Sequence, residues 1–357
     1  MSISTAFLFF FAVTLQLPAQ NNSFNALNFF AADNSNIQYT GRIDFTNPKL
    51  PRFWQPGVYI QTKFLGPDCY IIVKDEELWG NKHNYLEVVV DGRPVRLQTK
   101  SKQDTIAVAR GLTAGIHTLL ICKNTEANIG YLELVGIQCK RLLQPAAKPL
   151  RKIEFIGNSI TCGTGADQSA IPCGKGIWED QHNAYLSYGA ITARTLKAQY
   201  HLSSVSGIGL MHSCCNMDII MPPVFDKISM RNNDLSWNFN NYQPDVVTIC
   251  LGQNDGIQDS ASFCENYISF IEQLRSHYPK AMLLCLTSPM ADASLAAFMK
   301  KTLTAVVKQM KSNGDNKVTS YFFSKQFHHG CDYHPDLAEH KQMAKELAGF
   351  IKSKMKW

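Results

Sequence analysis

A chain of 357 residues with a formal net charge of +6 exceeds the usual size of a single hydrophobic core, so two domains are expected, each able to bury an interior. Its Lys and Arg are scattered, with no basic block and no stripe of interleaved aromatics, which argues against nucleic acid as a partner.

The first twenty residues carry no charge and contain an apolar run over residues 6–15. That run is too short to span a bilayer and stands where the apolar part of a secretory signal would, with Ala19 as a cleavage position. Residues 1–20 are therefore expected to be a signal peptide and the protein extracytoplasmic, periplasmic or secreted, although no Lys or Arg precedes the run. No other stretch approaches transmembrane length.

Residues 22–140 read as β. Short segments rich in β-branched and aromatic residues, at 58–64, 70–73, 85–90, 105–109 and 118–122, are separated by turn signals at Gly66-Pro67, Asp91-Gly92 and Gly111 to Gly115. The pattern predicts a β-sandwich of jelly-roll type, and Asp91-Gly92 between apolar runs predicts a hairpin. Residues 141–150, with two prolines, break the pattern and are expected to be a linker.

From 151 to 357 strand-like runs (152–156, 200–205, 245–251, 281–287, 318–323) alternate with helix-like ones (183–197, parts of 218–229, 262–277, 295–311, 335–354). Such alternation predicts an α/β domain of three layers, α/β/α, around a five-stranded parallel sheet. In a parallel sheet the residues just past each strand share one rim, where ligands bind. Four stretches fall there: Gly157-Asn-Ser159, Ser206-Gly207, Gly252-Gln-Asn-Asp255 and, near the last helix, His334-Pro335, with Pro335 suited to that helix's first turn.

Those residue types are what an acyl transfer needs: a hydroxyl, a base to take its proton, and donors aimed at the oxygen that becomes negative. Ser159 is the candidate nucleophile and His334 the candidate base, with the Ser159 and Gly207 N–H groups and the Asn254 side chain forming the oxyanion hole. Gly209 competes with Gly207 for that place, and Asp255 reads as a structural turn residue. A serine after a strand can also simply cap the next helix.

The four stretches, in this order, resemble the sequence blocks of the SGNH (GDSL-type) hydrolases. Together with the β-rich first half, Gly330-Cys-Asp-Tyr-His-Pro335 and Asn183-Ala-Tyr-Leu-Ser-Tyr-Gly189, they are similar to carbohydrate esterase family 2, in which a jelly roll precedes an SGNH domain. The resemblance implies a serine esterase that removes acetyl groups from plant polysaccharides or their oligosaccharides, often at a hexose 6-hydroxyl, with no cofactor. Two departures stand out: Asn158 replaces the Asp of many relatives, and Cys331 occupies the position three before the histidine where the general pattern has the triad acid. Asp332, two before, is the candidate third member, with a Ser-His dyad oriented by a backbone carbonyl as the alternative.

Tyr333, Trp178 and Trp237 are candidate sugar-stacking rings, Trp237 equally a core residue. His328, His329, Cys331, Asp332 and His334 have the elements of a metal site, but too densely spaced on one loop to converge, so no metal is expected. The 11 cysteines leave at least one unpaired, and the spacing allows a local bridge between Cys162 and Cys173. Competing readings are a lipase or thioesterase using the same residues, and a non-catalytic carbohydrate-binding protein.

Overall fold

The structure, a computed structural model, describes Met1 and residues 27–357; the apolar N-terminal run expected to be a signal peptide lies outside the described residues. The first half is an antiparallel β domain built around one 17-residue strand, Tyr59–Asp75. Its first part pairs with Ile116–Lys123 and Gln38–Thr40, its second with Gln103–Ala109, and Leu132–Leu143 runs beside both. Gly66-Pro67 is thus not a turn between two strands. The register shifts there, between Leu65 and Cys69, making it a bulge within one strand whose two parts pair with different neighbours. Asp91 and Gly92 do close a hairpin, at φ 49° and 78°, between Tyr85–Val90 and Arg93–Gln98.

The second half holds five parallel strands in the spatial order Ala198–Ser204, Arg151–Gly157, Val246–Cys250, Met282–Leu286, Val318–Tyr321. Tyr188–Thr195 and Leu337–Met355 cover one face, and Ser260–His277 with Ala293–Ser312 the other. Three helices are shorter or displaced relative to expectation, each for a physical reason. Residues 183–187 are not helical because the Ala184 N–H and Tyr185 N–H donate to Asn124 of the β domain. Between 218 and 229 only Met221–Val224 makes a turn, since Pro222 and Pro223 supply no N–H. Pro335 stands outside the last helix, whose N-cap is Asp336 in a reciprocal capping box with Glu339.

The halves are stapled by buried polar contacts. Arg42 reaches from the β domain to Glu154 on the first parallel strand at 2.8 Å, both side chains almost fully enclosed, and Glu154 also accepts from Ser203 and Tyr278. The ring of Tyr59 lies 4.9 Å from that of Tyr200.

Candidate active site

The strand Arg151–Gly157 ends where no side chain fits: a Cβ on Gly157 would lie 2.1 Å from Thr161 Oγ1. The Asn158 side chain then accepts from the Ile160 N–H and caps the one-turn helix Ser159–Cys162. The capping role therefore falls to Asn158, and the Ser159 hydroxyl is left for another partner. That partner is His334, whose Nε2 lies 2.8 Å from Ser159 Oγ across 175 residues of chain.

The other ring nitrogen fixes the tautomer. His334 Nδ1 lies 3.2 Å from the Cys331 carbonyl and 3.0 Å from the Asp332 carbonyl. A carbonyl only accepts, so Nδ1 carries the proton and Nε2 presents its lone pair to the serine. Asp332 thus bonds the imidazole through its backbone, while its exposed carboxylate acts only through its charge. Burial lowers the His334 pKa, and the two carbonyl bonds and the Asp332 charge oppose that without cancelling it. The ring is neutral, and able to accept a proton, at near-neutral pH.

Ser159 and His334 open on a cavity of about 450 Å³ that is also lined by Gly207, Asn254 and Trp178. Gly207 adopts φ +85°, and a Cβ there would meet Met217 Sδ at 2.7 Å and Cys214 Sγ at 3.0 Å. Gly209, the competitor, spends its N–H on Ser213 Oγ and does not line the cavity. Asn254 Nδ2 donates one hydrogen to the Ile208 carbonyl at 2.8 Å, and an amide has a second to offer. Asp255 accepts from the N–H groups of Leu210, Met211 and His212 and so shapes the turn that follows Gly207.

The aromatic candidates separate. Trp178 lines the cavity and meets the buried His182 edge to face at 4.4 Å. Tyr333, 77% exposed at φ 57°, stands beside His334 but outside the cavity lining. Trp237 is buried against His201 and Arg42, on a different cleft at the seam between the halves. The dense His/Cys loop does not converge either: His329 engages Glu339, His334 engages Ser159, and Cys331 is disulfide-bonded to Cys173. Cys162, sketched above as Cys173's local partner, is a buried thiol instead.

Beside Gln253 of the Gly252-Gln-Asn-Asp255 stretch, further lining residues are Asn128 from the β domain, Met217, Met290, and the bonded neighbours Cys214 and Cys215. Only the adjacent cysteine pair could have been singled out from the text of the chain.

Comparison with known proteins agrees with this architecture. Residues 39–149 match the carbohydrate esterase 2 N-terminal family and residues 155–324 the GDSL-like lipase/acylhydrolase family. The chain is 33% identical over 341 residues to the cellulase/esterase CelE of Acetivibrio thermocellus, covering 91% of this chain but only 40% of that protein's length. It is 27% identical to an acetylxylan esterase / glucomannan deacetylase of Cellvibrio japonicus, over 96% of each. A family two carbohydrate esterase from Clostridium thermocellum, solved with cellohexaose, superposes with a TM-score of 0.82 at 31% identity, covering 90% of this chain and 99% of that one. The chain belongs to carbohydrate esterase family two.

Proposed function

We propose that the protein is a serine esterase that removes O-acetyl groups from plant cell-wall polysaccharides such as xylan or glucomannan, or from their oligosaccharides. The observation that carries this is the 2.8 Å contact between Ser159 Oγ and His334 Nε2 inside a cavity that also holds Gly207 and Asn254. His334 takes the Ser159 proton as Oγ attacks the ester carbonyl, and the Ser159 and Gly207 N–H groups with the Asn254 amide receive the negative oxygen. His334 returns the proton to the departing sugar hydroxyl. Water, deprotonated by the same imidazole, then releases acetate from Ser159.

With Nδ1 held by two carbonyls, the base works as a Ser-His dyad and Asp332 contributes its carbonyl and its charge. Trp178 is the proposed platform for the sugar, since a flat apolar ring complements the C–H face of a pyranose. Action outside the cytoplasm is part of the proposal: the polymer is there, and two disulfides suit an oxidising compartment.

Acetate release measured on acetylated xylan, acetylated glucomannan and mono-acetylated hexosides, beside 4-nitrophenyl esters of increasing chain length, tests the reading. Deacetylation of at least one glycan, with acetyl preferred over octanoyl, is the expected result. Preference for long acyl chains and no release from any glycan would make it a lipase or thioesterase instead.

A further inference from the structure

Both disulfides of the chain lie at this one site: Cys214 and Cys215 line the cavity, and Cys331 stands three residues before His334. The other seven cysteines are thiols, six of them buried. We propose that the Cys173–Cys331 bridge is a positioning device for the catalytic base, holding at position 331 the group that orients the imidazole where a triad carboxylate would otherwise stand. The proposal rests on the esterase reading above.

The Cys331 carbonyl accepts twice from His334, from its backbone N–H at 3.0 Å and from Nδ1 at 3.2 Å. A carbonyl can orient a ring only as well as the carbonyl is itself fixed. The turn that carries it is an unfavourable one: Asp332 and Tyr333 sit consecutively at φ 51° and 57°, in the left-handed region that residues with a Cβ avoid. Such a turn persists only when its ends are held. One hold is the Cys331 N–H, which donates to the Gly165 carbonyl at 2.8 Å, and another is the Gly330 N–H, which donates to the His334 carbonyl at 2.6 Å.

The disulfide adds the only covalent hold at this turn, joining it across 158 residues to the exposed segment that leads into Trp178. That segment is itself anchored, because the two hydrogens of Gln181 Nε2 are shared among the carbonyls of Ile171, Pro172 and Lys175, at 3.2, 3.4 and 3.0 Å. The bridge therefore couples the wall that carries Trp178 to the base. Cys331 is buried and Cys173 exposed, so a reductant reaches the bond from the Cys173 side.

Cys173→Ala opens the bridge and leaves the Cys331 backbone in place. Turnover of 4-nitrophenyl acetate, read well below the melting temperature, should show kcat falling about ten- to a hundredfold with KM little changed, as expected when a base is misplaced rather than a binding contact removed. In wild-type enzyme treated with a trialkylphosphine, which with water converts a disulfide to two thiols, activity should fall in step with opening of Cys173–Cys331. Alkylation followed by peptide mass spectrometry distinguishes that event from opening of Cys214–Cys215. A folded Cys173→Ala variant whose kcat stays within about twofold of wild type overturns the proposal. If that variant does not fold, the phosphine titration decides: loss that follows Cys214–Cys215 while Cys173–Cys331 is intact overturns it equally. Wild-type enzyme with no esterase activity at all would refute the esterase reading instead, so the two failures are distinguishable.

Discussion

The rim of the parallel sheet and the β-domain segment 123–129, which reaches the same cavity through Asn128, treat polar groups in opposite ways. On the rim, Ser159, His334 and Asn254 keep polar atoms directed into the cavity and spend the remainder on a single neighbour each or on backbone. In the β segment, Lys123 and Glu126 are fully enclosed. Burial lowers the Lys123 pKa and raises that of Glu126, and Lys123 Nζ is satisfied by the carbonyls of Thr125 and Glu126. What this segment offers the site is grip: Glu126 accepts from the Ser206 N–H at 3.3 Å and Asn128 donates to the Ser206 carbonyl at 3.4 Å. The residue before Gly207 is thus held on both its backbone groups by the other domain. The proposed chemistry is located on one half, and the other half holds Ser206, the neighbour of the proposed oxyanion donor Gly207.

Substitutions graded by distance from the reacting carbon test that contrast. His334→Ala, removing the base, should lower kcat by about four orders of magnitude or more without unfolding the chain. Asn254→Ala should cost about 10²–10³ in kcat if its free amide hydrogen meets the oxyanion; a loss below about tenfold would remove it from the hole. Asn128→Ala takes away the one β-domain side chain among the described residues that lines the cavity. Losing one such hydrogen bond should cost about two- to tenfold in kcat/KM. No effect would reduce the β domain to a brace remote from catalysis.

Asp332→Asn should have the smallest effect on rate and a distinct one on pH dependence. The proposed base must be neutral, so activity should be complete above the His334 pKa and lost as pH falls through it; burial places that midpoint below the ordinary value of 6.5. The Asp332 charge favours the imidazolium, so its removal moves the acidic limb lower still. A large rate loss at neutral pH would instead show the carboxylate acting as a triad acid.

The α/β half was legible from sequence because Ser159, Gly207 and Asn254 each follow a strand that reads clearly on its own. The five runs at 152–156, 200–205, 245–251, 281–287 and 318–323 overlap all five parallel strands. Parallel topology then carries Ser159, Gly207 and Asn254 to one rim without further information. Misreadings arose where a local signal competed with a distant partner. Gly66-Pro67 looks like a turn but is tolerated as a bulge because strand Leu132–Leu143 accompanies both flanks. Residues 183–187 look helical but bond Asn124. Pairing of Cys173 with Cys331 rather than Cys162, and the reach of Asn128 into the cavity, depend on tertiary contacts that spacing does not encode.

The proposed esterase activity depends above all on Ser159 as nucleophile and His334 as its base. Reaction with a fluorophosphonate, followed by peptide mass spectrometry, addresses it directly. The predicted result is one adduct per chain on Ser159, formed in proportion to loss of esterase activity and slowed strongly in His334→Ala. Full activity with Ser159 modified, or activity lost with the adduct on another residue, would contradict it.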